Sequence, residues 1–200
     1  MSTMADHSSS QLSFRDPGPG NHFALGGFTG NGYSRGRGVP VQMLWLMSRG
    51  LLMKWWCPNA LRIAVLRLFG AEIASGVKIR HEVKIHWPWK LAVGRDSWIG
   101  EEVWILNLEP VRIGSDTCIS QGAFLCTGSH DRRSPSFEFD NAAIVVGSSV
   151  WVAARAIILR GVHIGDGVTV GASAIVAGDI PSGTTVFAAR PRIESPYRGS

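Results

Sequence analysis

His130 and Asp131 stand together in "LCTGSHDRRSPSFEFDNAA", from Leu125 to Ala143, a polar stretch inside a chain that otherwise returns to Ile, Val or Leu about every sixth residue. An imidazole ordinarily titrates near neutrality and so can take a proton from a hydroxyl at neutral pH. The adjacent carboxylate reads two ways, as a contact to a bound acceptor or as a pin for the loop. The other histidines point elsewhere. His81 and His86 have no third histidine at a matching later place, so no metal is expected, and His163 precedes an aliphatic core position and should face outward. Cys57, Cys118 and Cys126 are odd in number and lack C-x-x-C spacing, which argues against a disulfide framework or structural zinc and for a reducing cytoplasm.

The elements that must position His130 announce themselves by a change of period after Gly70. Ile73, Ile79, Ile85 and Leu91 lie six apart, followed by Ile99 and Ile105, then Ile113, Ile119 and Leu125. The spacing resumes after the break at Val146, Val152, Ile158, Ile164, Val170 and Val176. Two residues before most of these stands another small or aliphatic residue, such as Val77, Val103, Ala123, Val150 and Ala174. Residues two apart share one face of a strand, and a residue of positive φ just after the aliphatic would turn the chain, as in Ile164-Gly165. Three strands and three turns close a triangular coil. From Ile73 to Pro181 the spacing predicts roughly five stacked coils of about 18 residues, with irregular joints near Trp87 and Glu109. The break after Leu125 lifts residues 127–142 off that regular wall as a protruding loop.

Before the array, "VPVQMLWLMSRGLLMKWW" places Val41, Leu44, Trp45, Leu51, Leu52, Trp55 and Trp56 at helical offsets. Pro58 suits a first helical turn, Leu61, Ala64, Val65 and Leu68 continue a stripe, and Gly70 can end a second helix. Residues 39–70 are thus a helical segment that packs on the end of the domain or, through Trp45, Trp55 and Trp56, touches a membrane surface. Arg49 and Lys54 interrupt the apolar run, which argues against a span. Residues 1–38 are Ser/Gly-rich without periodicity and read as a flexible arm without a catalytic role; their start, "MSTMADHSSSQLSF", has no apolar core of a signal peptide. Residues 71–200 form the third unit.

Composition bounds the rest. Hydrophobic residues make up 45% and charged residues 18%, with 24 Gly and 10 Pro, which fits a turn-rich globular protein. The net charge of +5 comes from scattered rather than clustered cations, so nucleic acid is not expected. A phosphorylated small molecule or an anionic membrane surface accounts for it as well.

On these residues the chain resembles the hexapeptide-repeat acyltransferases, whose fold is a left-handed parallel β-helix; the handedness is the family's, since other parallel crossovers are almost always right-handed. "LRLFGAEIASGVKIR", "WPWKLAVG", "SWIGEEVWILNLEPVRIG" and "CISQGAFLCTGSHDRRSPSF" are similar to the colanic acid biosynthesis O-acetyltransferases, over about residue 40 to the end. The resemblance implies an all-β fold and acetyl transfer from acetyl-CoA to a sugar hydroxyl in exopolysaccharide synthesis, with His130 as catalytic base. It places an acceptor-contacting polar residue at Asn107, whose other reading is a turn-forming Asn, and a backbone oxyanion donor near Ala154. The CoA groove falls beside Ala154 and Ala172, small residues that a crowded coil could equally require. Relatives often carry a Thr-Lys pair where this chain has Ala177-Gly178, and a Gly-Asn-Pro-Ala type of tail where it has "AARPR". Arg190 and Arg192 are therefore the candidates for the CoA phosphates, with Arg155 and Arg160 further out. Similar enzymes are homotrimers with sites between subunits, in the cytoplasm, here at the inner face of the membrane if the helices dock. The rival readings are a noncatalytic scaffold that binds a glycan or protein, and an acetyltransferase for a nonsugar acceptor.

Overall fold

Pairs of inward aliphatics two residues apart make short strands, and the computed structural model, which describes residues 23–190, has sixteen of them. They are β1 (Glu72–Ile73), β2 (Lys78–Ile79), β3 (Lys84–Ile85), β4 (Leu91–Val93), β5 (Trp98–Ile99), β6 (Trp104–Leu106), β7 (Val111–Ile113), β8 (Cys118–Ile119), β9 (Phe124–Cys126), β10 (Ile144–Val146), β11 (Trp151–Val152), β12 (Ile157–Leu159), β13 (His163–Ile164), β14 (Thr169–Val170), β15 (Ile175–Val176) and β16 (Thr185–Val186). All pair in parallel, as three sheets that form the walls of a solenoid. Sheet A stacks β1-β4-β7-β10-β13, sheet B stacks β2-β5-β8-β11-β14-β16, and sheet C stacks β3-β6-β9-β12-β15. Five coils are complete and a sixth is begun by β16 and by the bridge from Ile164 to Ile180.

The inward rows are dry. Ile99, Ile105, Ile119, Leu125, Val152, Ile158 and Val170 are all 0% exposed, and each contributes roughly 1.5–3 kcal/mol of burial. Register shows where the six-residue rule bends. Ile73 pairs with Val93, and Ile79 with Ile99, twenty residues on, whereas Val146 pairs with Ile164 eighteen on. The first coils carry two extra residues at the corner from sheet C to sheet A, so Val93, not Leu91, continues the row from Ile73. Leu91, Val111 and Ile144 form a second buried column beside it, two residues earlier along each strand.

The turns also differ from the expectation. After the inward aliphatics of sheet A and of β2, β5, β8, β11 and β14 the left-handed residue lies three positions on, as at Glu82, Asp96, Glu102, Asp116, Ser149, Arg155 and Ser173, not directly after the aliphatic. The glycine that does follow the aliphatic meets a different demand. A Cβ at Gly114 would lie 2.5 Å from the Gly147 carbonyl carbon and oxygen of the next coil, so only glycine lets these corners stack.

Helices α1 (Val39–Leu52) and α2 (Asn59–Leu68) cover the first coil. Asn59 completes the bare edge of β2 by donating Nδ2 to Val77 O at 3.1 Å and accepting the Ile79 N–H at 2.9 Å. Arg62, 3% exposed, donates to the carbonyls of Leu52, Lys54, Cys57 and Ile79, tying both helices to the coil. Gly70, at φ +97°, ends α2 as its position suggested. The helix faces are rotated from the predicted stripes. Gln42, Trp45 and Leu52 of α1 and Arg62, Ile63 and Leu66 of α2 face the coils, while Val41, Leu44, Leu51, Leu61 and Leu68 face out. Tertiary contacts of Trp45 and Arg62 set the rotation, and hydrophobicity alone misplaces it.

Candidate active site

The loop is a short antiparallel ribbon raised from the C-to-A corner. Ala142 N–H donates to Thr127 O, Asp140 N–H to Ser129 O and Asp131 N–H to Glu138 O, at 3.0, 2.9 and 2.8 Å, with His130 bridged to Phe139. Its base is pinned by buried Thr127, whose hydroxyl donates to Leu106 O at 2.9 Å and accepts the Glu109 N–H at 3.0 Å. An ion pair from Arg160 to Asp140 fastens its returning arm to the next coil.

His130 sits in the ribbon with Nδ1 2.7 Å from the carbonyl oxygen of Phe137. A carbonyl only accepts, so Nδ1 carries the proton and Nε2 keeps its lone pair free. The rings of Phe137 and Phe139 stack on the imidazole at 4.3 and 5.2 Å, and Phe28 approaches at 5.8 Å, 63° to its plane. Phe137 is held at φ +56°, an unusual conformation for a bulky side chain, and this turn aims its carbonyl at the imidazole. Asp131 does not orient His130. Its Oδ1 accepts the Arg133 N–H at 2.8 Å, so of its two readings the structure favours the pin at the ribbon's tip.

Asn107 is 0% exposed. Its Oδ1 accepts from the N–H groups of His86 and Trp87 at 3.1 and 3.0 Å, and its Nδ2 donates to Trp87 O at 2.6 Å. Both amide ends are occupied in closing the corner beneath the loop, the turn-forming use among the two readings of this residue.

The stretch 23–38, expected to be free, is a strap over the loop. Glu138 accepts from the Thr29 N–H, the Gly30 N–H and the Thr29 and Ser136 hydroxyls at 2.9–3.0 Å. Those bonds, the Thr29 N–H foremost, hold its carboxyl below the usual carboxylate range. Phe23 packs on Phe137 at 4.5 Å, Phe28 and Tyr33 on Phe139 at 5.0 and 5.1 Å, and the Tyr33 hydroxyl accepts from Trp87 Nε1 at 2.6 Å. Lys90 donates to Ser34 O at 2.6 Å beneath the Tyr33 ring. The aromatics Phe23, Phe28 and Tyr33 in an otherwise Gly-rich run were the sequence signal for this packing.

The predicted CoA positions gather at another corner. Ala154 lies between β11 and β12 and Ala172 one coil above it, joined by the Ser173 N–H to Ala154 O bond of 3.0 Å. Ala172 and Arg190 share a groove of about 420 Å³ with Gly171, Phe187 and Ala188. Arg192 lies outside the described residues. The amides of Ala153 and Arg155 are committed to Val170 O and Gln121 O, while among the described residues no partner is found for the Ala154 N–H. Sheet C separates this corner from His130, a width on the order of 15 Å. Among the described residues no group of three His, Cys, Asp or Glu could hold a metal, and His163 is exposed on β13.

The chain is 38% identical over 180 residues to WcaF of Escherichia coli K12, a protein assigned to colanic acid biosynthesis as an acetyltransferase, covering 86% of this chain and 98% of that one. It belongs to the hexapeptide-repeat acetyltransferases. A second member, the lipopolysaccharide biosynthesis O-acetyl transferase WbbJ of the same organism, is 30% identical across 64% of this chain and 71% of its own. Among solved members, the hexapeptide-repeat acetyltransferase VCA0836 of Vibrio cholerae, complexed with acetyl-CoA, superposes with a TM-score of 0.68 at 22% identity over 74% of this chain and 82% of that chain. A galactoside acetyltransferase in complex with coenzyme A gives 0.67 at 19% identity, over 74% and 76%. No family model matches the chain.

Proposed function

We propose that this acetyltransferase moves an acetyl group from acetyl-CoA to a sugar hydroxyl, with His130 as general base, in the synthesis of an exopolysaccharide. The observation that carries the reading is the 2.7 Å contact between His130 Nδ1 and Phe137 O, which holds the Nδ1–H tautomer and makes Nε2 the basic nitrogen, on a loop at the array's one large interruption. Nε2 takes the proton of the acceptor hydroxyl, and the oxygen attacks the thioester carbonyl. The Ala154 N–H is the donor for the oxyanion that forms. As the tetrahedral intermediate collapses, the C–S bond breaks and the imidazolium returns the proton to the CoA sulfur. Base catalysis of this kind contributes about 10²–10⁴-fold. No acyl-enzyme is required.

The CoA groove is the corner of Ala154 and Ala172, whose small side chains leave room for a pantetheine arm, with Arg190 toward the phosphates. Because sheet C stands between that corner and His130, one site is assembled from two copies, as in a homotrimer. The outward column of sheet C, with Trp104 stacked on Phe124 at 4.6 Å and Ile175 66% exposed, supports a covered flank. Three unpaired cysteines suit the cytoplasm. The sugar assignment draws on the two biosynthetic relatives and the galactoside enzyme.

The test is CoA release from acetyl-CoA across a panel of sugars and glycan precursors. His130→Ala should lose sugar-dependent turnover by 10²–10⁴-fold while acetyl-CoA still binds. Turnover that survives the substitution overturns the base assignment, and acetyl-CoA that neither binds nor turns over leaves a scaffold. Mixing His130→Ala chains with chains impaired at Ala172 should restore activity; none under confirmed exchange sinks the shared site.

A further inference from the structure

Helix α1 is apolar on both faces, with Trp45 and Leu52 buried on the coils and a second apolar ridge turned outward. A surface helix ordinarily turns apolar residues inward and polar residues to water. Here buried Gln42 faces the coils, and Val39, Met43, Met47 and Leu51, four apart on one ridge, are 63, 52, 74 and 65% exposed, with Leu44 beside them at 60%. Scattered exposed apolar side chains are ordinary, but a contiguous ridge marks an interaction surface. Trp55 and Trp56 follow the helix at 77 and 53% exposure, residue types suited to a boundary between apolar and wet surroundings.

Charge indicates what covers the ridge. Between Asp16 and Glu72 the sequence has no acidic residue, while Arg35, Arg37, Arg49, Lys54, Arg62 and Arg67 all fall there. Arg62 is buried in its carbonyl cage, Lys54 pairs with Glu82 at 3.3 Å and Arg67 donates to Ile73 O and Ala74 O, which leaves Arg35, Arg37 and Arg49 exposed and without an acidic partner among the described residues. A second copy would set like charges against one another, whereas an anionic lipid surface complements both cations and ridge. At 14 residues α1 is about 21 Å long, short of the roughly 30 Å of a hydrocarbon core. Among the described residues no helix is long and apolar enough to cross a membrane, so α1 could meet a bilayer only along its surface.

We propose that α1 is an interfacial helix that docks the protein on an anionic phospholipid surface, with Met43, Met47 and Leu51 inserted and Trp55 and Trp56 at headgroup level. Trp45 fixes the helix to the coil by donating Nε1 to His86 O at 2.9 Å. His86 begins the C-to-A corner of the first coil, and the His130 loop leaves the same corner two coils on, a rise on the order of 10 Å. Docking therefore holds the loop close to the lipid headgroups, within reach of an acceptor carried on a membrane lipid. That last consequence rests on the O-acetyltransferase reading; the docking does not.

The experiment is flotation of the full chain with vesicles of phosphatidylethanolamine and phosphatidylglycerol, against phosphatidylcholine vesicles. Wild type should float with the anionic vesicles and stay largely below with the neutral ones. Met47→Glu/Leu51→Glu should weaken partitioning at least tenfold with an unchanged melting curve. Should that variant unfold, Arg35→Gln/Arg49→Gln carries the test, with a salt-dependent loss on the order of fivefold for each cation removed. A wild type that never floats, or variants that float equally well, overturns the proposal. So does a Met47→Glu/Leu51→Glu chain whose mass in light scattering drops while wild type shows no flotation, since the ridge then belongs to a second copy. Acetyl transfer to a soluble acceptor, measured alongside, is expected to be unchanged in Met47→Glu/Leu51→Glu and reports separately on the chemistry.

Discussion

The wall and the loop are built on different physics. In the wall, aliphatic columns such as Ile99, Ile119, Val152 and Val170 are sealed from water and every coil repeats the hydrogen bonds of the one below. From Gly128 to Ala143 no residue of the loop is fully buried; it is held by a ribbon of backbone bonds, an ion pair and a strap drawn from more than a hundred residues away. The wall therefore carries stability and the loop carries position. Damage to the two should separate cleanly in measurement.

Gly114→Ala breaks the wall hardest. The new Cβ would meet backbone atoms of Gly147 and Ser148 at 2.5–2.6 Å, where neither chain can step aside. A loss of about 3 kcal/mol or more is expected, read as a lower urea midpoint, with activity following the folded fraction. Unchanged stability would mean that the corners do not stack as closely as the glycine column requires.

Phe28→Ala tests the loop from the strap side. Each aromatic contact of this kind contributes about 0.5–1.5 kcal/mol, and Phe28 makes two, to His130 and Phe139. Turnover should fall several-fold with the KM for acetyl-CoA and the melting temperature nearly unmoved, and Phe28→Tyr should restore it. A melting temperature lowered as far as by a core truncation would make the strap part of the wall.

The smallest effect is expected from acid. Glu138, depressed below its ordinary value of 4.5, contributes stability that is present above that value and is lost as pH falls through the depressed one. Protection of the Thr29 and Gly30 amides against hydrogen exchange, relative to their intrinsic rates, should fall as pH drops below the ordinary carboxylate range while the coil amides stay protected. Glu138→Gln should remove the pH dependence. An unaltered exchange profile in that variant would show that something other than this carboxylate holds the strap.

The wall was legible because its physics is periodic: Ile119 and Val152 declare themselves by spacing alone. Spacing also misled where geometry added residues without disturbing the count, so that Leu91 looked like the successor of Ile85 while Val93 holds the row. Asn107 carried two readings because an amide serves a turn and a ligand equally well, and its hydrogen bonds to His86 and Trp87, not its place in the sequence, show it serving the turn. His130 stood out by its place in the break, but its partner is a main-chain carbonyl that any residue at position 137 would possess. The strap was hidden for a related reason. Thr29 and Glu138 are 109 residues apart, and no local pattern connects them.

The register across the insertion has a further consequence. Ile113 pairs with Val146, Ile119 with Val152 and Leu125 with Ile158, each 33 residues on, against 18 in the coil that follows. All three walls absorb the interruption by the same amount, so the coils on either side meet as if nothing lay between them. The loop is in this sense a cassette: the scaffold fixes where it is plugged in and places few limits on what it contains, and a family that keeps the socket can change its chemistry by changing the insert.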